Sequence, residues 1–415
     1  MTPFLQVARN NDLGHPICAN LRAGPWMLDY VIGRLERHTG MFPRLEMLSK
    51  WLQDRLEIVK RLPPAFLPKY FFMTIVIAYQ GLRYRALELS STKLHSFPNS
   101  LDNFEQSCKM VSFQMYGSVA STGLFPREYP LEIRYPSSIK VIPIGIRPAS
   151  LAAGLPHFST HHMRCWGRDV FIALRGLFLI PGHFDEARAH LIAFGSTLKH
   201  GLIPNLLDQG VRPRYNARDA TWWWLWAVSE YCRMSSEGLE FLGALVARRF
   251  VPLRRYTHGP SYNKDYSPTD ENPHADDYIA PDDPLVYTYQ NTIAELCHEI
   301  LDRHARGIHF REWNAGSGLD HAMAYQGFDV DVFTEWDKGT GFVHGGNRFN
   351  CGTWMDKMGD SDRARTKGVP ATPRDGADIE IIGLQKAALR WISDLLKKGA
   401  AHWKWPCVKG TVKGL

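Results

Sequence analysis

Long apolar runs are missing from this chain: the most apolar stretch, Phe71–Tyr79, falls well short of the roughly 20 residues that cross a bilayer and is expected as a buried helix. The opening Met-Thr-Pro-Phe-Leu-Gln-Val-Ala-Arg puts no apolar core behind a basic stretch, so no secretory leader is expected. Cysteine is sparse, with seven residues between Cys18 and Cys407. An odd number without a C-x-x-C pair argues against both a disulfide framework and a thiolate zinc site. No Asn-x-Ser/Thr acceptor occurs, and a reducing, cytoplasmic setting fits these absences.

Other function classes drop out in the same way. The formal net charge is +7, yet Lys and Arg are scattered among 42 acidic residues and form no stripe for nucleic acid. His157, His161 and His162 have no Glu or fourth ligand at a zinc spacing, so they read as ordinary polar histidines. The acidic loop around Asp282-Asp283-Pro284 lacks a calcium-loop pattern, and no metal is expected. No serine sits in a G-x-S-x-G elbow.

What the chain has is apolar mass and tryptophan. With 415 residues, 45% hydrophobic and 12% aromatic, it can bury a sizeable core in one large architecture or more than one domain. Helical spacing runs through residues 25–93, broken at Pro63-Pro64. Pro, Ser and Gly then punctuate 94–148, which suggests a boundary near 150 between a helical segment (1–150) and a second domain (151–415). Further helices are expected over Asp169–Ile180, Phe184–His200, Asp219–Met234, Ser236–Phe250, Tyr287–Arg306 and Ile379–Lys398. Residues 255–288 read as a surface loop, and the Gly-, Asn- and Asp-rich stretch 307–376 as long structured loops.

Three segments combine indoles with charge. In Trp166-Gly167-Arg168-Asp169 a carboxylate beside a guanidinium can grip neighbouring sugar hydroxyls, although an N-capping Asp with an exposed Arg would look the same. Tyr215-Asn216-Ala217-Arg218-Asp219 leads into Trp222, Trp223 and Trp224, with Asp219 at an N-cap position. Consecutive indoles point around the helix, so at least one should leave the core stripe. In Thr353-Trp354-Met355-Asp356, Trp354, Met355 and Met358 would shield a carboxyl, which raises its pKa toward that of a general acid. A surface turn is the plainer alternative. Indole faces beside fixed Asp and Arg groups suit a hexose.

On these residues the chain resembles the C-terminal region of eukaryotic glycogen debranching enzymes. The likeness is carried by Trp26-Met27-Leu28-Asp29-Tyr30-Val31, Ala152-Ala153-Gly154-Leu155-Pro156-His157-Phe158-Ser159 and Cys165-Trp166-Gly167-Arg168-Asp169. It continues in His200-Gly201-Leu202-Ile203-Pro204-Asn205, the tryptophan cluster, Gly345–Gly359 and Ala371-Thr372-Pro373-Arg374-Asp375-Gly376. The resemblance implies a mainly α, (α/α)6 toroid that hydrolyses α-1,6-linked glucose stubs of glycogen or limit dextrin with inversion, in the cytosol and without cofactor. It implies Asp356 as general acid and Trp166, Arg168, Asp169, Tyr215, Asn216, Arg218 and Asp219 as glucose-subsite residues. Trp222, Trp223, Asn347 and Trp354 join that set as substrate-binding candidates.

Departures temper the expectation. His161-His162-Met163 replaces a smaller lead into the Arg-Cys-Trp motif, and Val170 stands where Thr is usual. The family's Gly-Pro-Glu-Trp motif, whose region supplies the catalytic base, has no counterpart in 399–415, and the transferase unit has none either. The expectation is an incomplete toroid, without an identified base and with weak or no hydrolysis by itself. The alternatives are a glycogen-binding fragment or another (α/α)6 glycosidase of trehalase type.

Overall fold

In the computed structural model, the described residues are chiefly 26–40, 43–59, 150–154, 157–159, 164–208, 212–251, 289–312, 328–335, 339–347, 352–359, 361–372 and 374–397, with scattered positions elsewhere. The expectations for Phe71–Tyr79, Pro63-Pro64, His161, His162 and most of 255–288 lie outside them. The chain divides into two compact units, one of Met1–Met110 with Ile142–Ile146, the other of Val111–Val141 with Arg147–Leu415. Seven α-helices can be given bounds, beside four small sheets, and among the described residues no helix is long and apolar enough to cross a membrane.

In the first unit α1 (Trp26–Thr39) packs on α2 (Arg44–Val59). Ile32 and Leu52 are buried there.

The second unit is built around α5, and its other elements are set by local chemistry. A short strand pair, β1 (Tyr116–Gly117) with β2 (Ser150–Leu151), precedes α3 (Gly167–Leu174), which runs on as a π-turn over Arg175–Leu179. Then come α4 (Phe184–Gly195), the hairpin β3 (Leu206–Asp208) with β4 (Arg212–Arg214), and α5 (Ala220–Met234). Helix α5 contains neither Gly nor Pro and is apolar around most of its circumference, the pattern of a helix enclosed on several sides. It contacts α3, α4 and α7 (Ile379–Lys397). Trp222 and Trp224 are almost fully buried, a contribution of about 1.5–3 kcal/mol each or somewhat more.

Residues 236–250 are not the expected helix. A 3-10 turn over Gly238–Gly243 leads into β5 (Leu245–Ala247), which pairs antiparallel with β6 (Gln290–Thr292). That pairing also delays α6 to Ile293–Arg306. Thr292 closes a capping box with Glu295, accepting its amide at 3.2 Å while Glu295 Oε2 accepts the Thr292 amide at 2.8 Å. Gly307 ends the helix at φ +96°. Buried Arg248, just after β5, forks onto Glu299 of α6 at 2.7 and 3.3 Å.

The stretch expected as long loops contains a three-stranded antiparallel sheet of β7 (Ile308–Glu312), β8 (Phe328–Thr334) and β9 (Val343–Gly345). Gly345 then exchanges two backbone hydrogen bonds with Gly376, at 3.0 and 3.1 Å, just before α7 begins. Asp378 starts α7, taking the Glu380 amide on its carboxylate at 3.2 Å and the Ile382 amide on its carbonyl at 3.0 Å.

Candidate active site

Helix α3 begins where its backbone is clamped. Trp166 bridges Leu206, and the Gly167 amide donates to the Asn205 carbonyl at 2.7 Å. A Cβ on Gly167 would stand 2.5 Å from the Pro204 carbonyl oxygen, so only glycine fits. The clamp fixes Arg168, whose side chain is only 8% exposed.

Arg168 gathers two carboxylates distant in sequence. Its Nε and Nη2 donate to Asp219 Oδ2 and Oδ1 at 2.5 and 2.9 Å, and its Nη1 donates to Asp356 Oδ2 at 3.2 Å. Burial alone would pull the guanidinium pKa down, but the charge and hydrogen bonds of Asp219, with Asp356 and Asp169 behind, lift it above its ordinary value. Asp219 does occupy the N-cap position of α5, yet its side chain caps nothing and is fully buried against Arg168. The sequence pairing of Arg168 with adjacent Asp169 is replaced by this longer-range pairing. Asp169 turns to the exposed side, although surrounding protein, then Asp356 and Asp219, raise its pKa.

Asp356 lies on the irregular segment 352–359. This segment is tied to α5 by the Arg218 amide, which donates to the Gly352 carbonyl at 2.8 Å, and to 369–371 by two further backbone bonds. The expected apolar shield is absent: Trp354 is 49% and Met355 39% exposed. The carboxylate faces two cations instead, Arg168 and Lys357, the latter at 3.0 Å. Trp354 is left as an exposed indole two residues from it.

Arg218 is buried and links two loops, its Nη2 donating to the Arg374 carbonyl at 2.5 Å. Burial lowers its pKa, with Asp378, Asp219, Asp375 and Glu380 opposing. Its Nε and Nη1 have no protein partner. The indole nitrogens of Trp166, Trp222 and Trp223 and the Asn216 Oδ1 are likewise buried without one. Such atoms are uncommon in native interiors and fit a ligand rich in hydroxyl groups. Asn347 is half-buried just beyond β9.

The tryptophans and Tyr215 divide between core and site. Trp224 donates to the Leu191 carbonyl at 3.0 Å and is a core residue. Trp222 is buried edge-on against His304, and Trp223 is half-buried against Trp226. Tyr215 gives its hydroxyl to the Thr197 carbonyl and packs among Phe250, Phe310 and Lys199, so it backs the site rather than offering a free hydroxyl. Among the described residues no cluster of His, Cys, Asp and Glu could hold a metal.

The sequence that carries this constellation of guanidinium groups, carboxylates and indoles matches known proteins. The profile of the amylo-alpha-1,6-glucosidase family matches residues 115–413. The chain belongs to that family. A second profile, the central domain of human glycogen debranching enzyme, matches residues 1–35. The glycogen debranching enzyme of Saccharomyces cerevisiae is 46% identical over 389 residues, covering 94% of this chain and 22% of the yeast protein. The chain therefore spans about a fifth of the length of that relative.

Sequence reasoning missed two residues that the structure brings to the cluster around Arg168. Lys357 was visible as the neighbour of Asp356 but carried no pattern. Glu380, in the first turn of α7, has its carboxyl beside that of Asp219 and an Oε1 that is buried without a partner. In the sequence it reads as an acid favouring a helix start.

Proposed function

We propose that this chain supplies the acid and the glucose-holding residues for hydrolysis of α-1,6-linked glucose stubs of glycogen or limit dextrin. In this reading its helices form part of an (α/α)6 toroid and the setting is cytosolic. The observation that carries the reading is Arg168 holding Asp219 and Asp356 on one guanidinium.

Asp356, when protonated, gives its proton to the glycosidic oxygen as the C1–O bond breaks, and water adds to C1 from the opposite face, its surplus proton passing to a base outside the residues named here or to solvent. Lys357 and Arg168 then stabilise the carboxylate left behind. Asp219 has both oxygens on Arg168 and serves binding rather than base catalysis. Trp166, Arg218 and Asn216 offer open polar atoms to sugar hydroxyls, and Trp354 offers a stacking face. We assign no base.

The test is glucose release from phosphorylase limit dextrin by the wild type and by Asp356→Asn, with dextrin binding measured alongside. Release that the substitution abolishes, with binding kept, supports the reading. Equal background from both overturns hydrolysis by this chain and leaves carbohydrate binding as the function to be measured.

A further inference from the structure

Asp219 is buried and already gives both oxygens to Arg168, and a second carboxyl, that of Glu380, lies in contact with it. Two carboxylates side by side in a partly buried place do not both ionise at moderate cost, and a proton between them turns repulsion into a hydrogen bond. The groups facing Glu380 are Asp219 and Arg218 from the start of α5, Arg168 from α3, and Asp378 from the start of its own helix. Arg168 is committed to Asp219 and Asp356, and Arg218 donates through Nη2 to backbone carbonyls while its Nε and Nη1 reach no acceptor in the protein, so neither cation hydrogen-bonds Glu380. The buried Oε1 accepts from nothing in the protein, a heavy cost for a charged oxygen and a smaller one for a neutral carbonyl.

We propose that Glu380 is a further sugar-binding residue: a neutral carboxylic acid that donates its proton to Asp219, steadies the Asp219–Arg168 pair, and presents Oε1 to a substrate hydroxyl. The part concerning the hydroxyl rests on the glucosidase reading above, whereas the shared proton does not. Burial first, then Asp219, raise the Glu380 pKa from 4.5 to about 8, so the acid stays neutral at pH 7.

The experiment has a ligand-free arm and a ligand arm, both comparing wild type with Glu380→Gln, which stays neutral at every pH and keeps a donor and an acceptor. In the first, melting temperature is followed from pH 4 to pH 9. Between about 4.5 and about 8 an unfolded Glu380 has lost a proton that the folded one keeps, so wild-type stability should fall relative to Glu380→Gln as pH rises, then level off above 8. Parallel melting curves for the two proteins would overturn the shared proton.

In the second arm, affinity for limit dextrin is measured at pH 7 and pH 9. The wild type should weaken about tenfold as the proton is lost, the effect of roughly a unit of coupled protonation. Glu380→Gln should hold its affinity over the same range, while Glu380→Ala should bind weakly at both. A divergence in melting with no pH-dependent change in dextrin affinity would overturn the sugar contact and keep the shared proton. Loss of dextrin binding by every form, wild type included, would instead count against the glucosidase reading.

Discussion

Asp219 stands at the N-cap of α5 but turns away from its own helix, placing both carboxylate oxygens on the Arg168 guanidinium at 2.5 and 2.9 Å. A helix start that forgoes its side-chain cap gives up about 1 kcal/mol. The forked, buried ion pair fixes a guanidinium whose remaining nitrogen meets Asp356.

Arg168→Lys should therefore cost far more than a conserved charge suggests. A point-like ammonium cannot bridge both oxygens of Asp219 and reach Asp356 as well. We expect glucose release to fall at least about 100-fold, with a loss of about 3–5 kcal/mol in stability if Asp219 is left unpaired. Denaturant melts beside dextrin assays check both; unchanged release in Arg168→Lys would contradict the bridging role.

Gly167→Ala tests the clamp beneath that arginine. The added methyl would meet the Pro204 carbonyl at 2.5 Å, and the mismatch should cost about 1–3 kcal/mol. Thermal unfolding reads it directly. A variant as stable as wild type would show that the backbone gives way at little cost.

Trp354→Ala should separate binding from stability. The indole is half exposed, so melting should change by no more than about 0.5 kcal/mol. Loss of a stacking face should weaken dextrin binding by about 0.5–1.5 kcal/mol. Unaltered affinity would remove Trp354 from the sugar's surroundings.

Acid should unfold the second unit through two histidines. The pKa of His190 is lowered to about 4 by burial, its Nε2 accepting the Leu151 amide at 2.9 Å, and buried His304 is lowered to about 4 as well. Both are neutral when folded, so the unfolded chain takes up protons first as pH falls below 6.5, and stability is lost from there toward pH 4. Melting temperature across that range should drop steeply, and His190→Gln should flatten part of the slope.

The sequence made α5 and α7 legible because each is a continuous helical period free of proline, and the observed bounds, Ala220–Met234 and Ile379–Lys397, differ from expectation by a residue at one end. Segment 236–250 misled because its strand is defined by a partner some forty residues away, at Gln290–Thr292, and short apolar runs fit either period. The sheet of β7, β8 and β9 was hidden for the same reason. The three charged segments were recognisable singly, but Arg168 and Asp219 meet across 51 residues, and adjacency in sequence pointed to Asp169. Glu380 was invisible because an acid in a first turn ordinarily answers the helix dipole.

The reciprocal bonds between Gly345 and Gly376 join the last strand of the sheet to the approach of α7, in a stretch otherwise irregular. In hydrogen–deuterium exchange these two glycine amides should report on the closing of the unit rather than on their own turn. Their protection should rise and fall with that of α7, marking the sheet and the helix as one cooperative opening event.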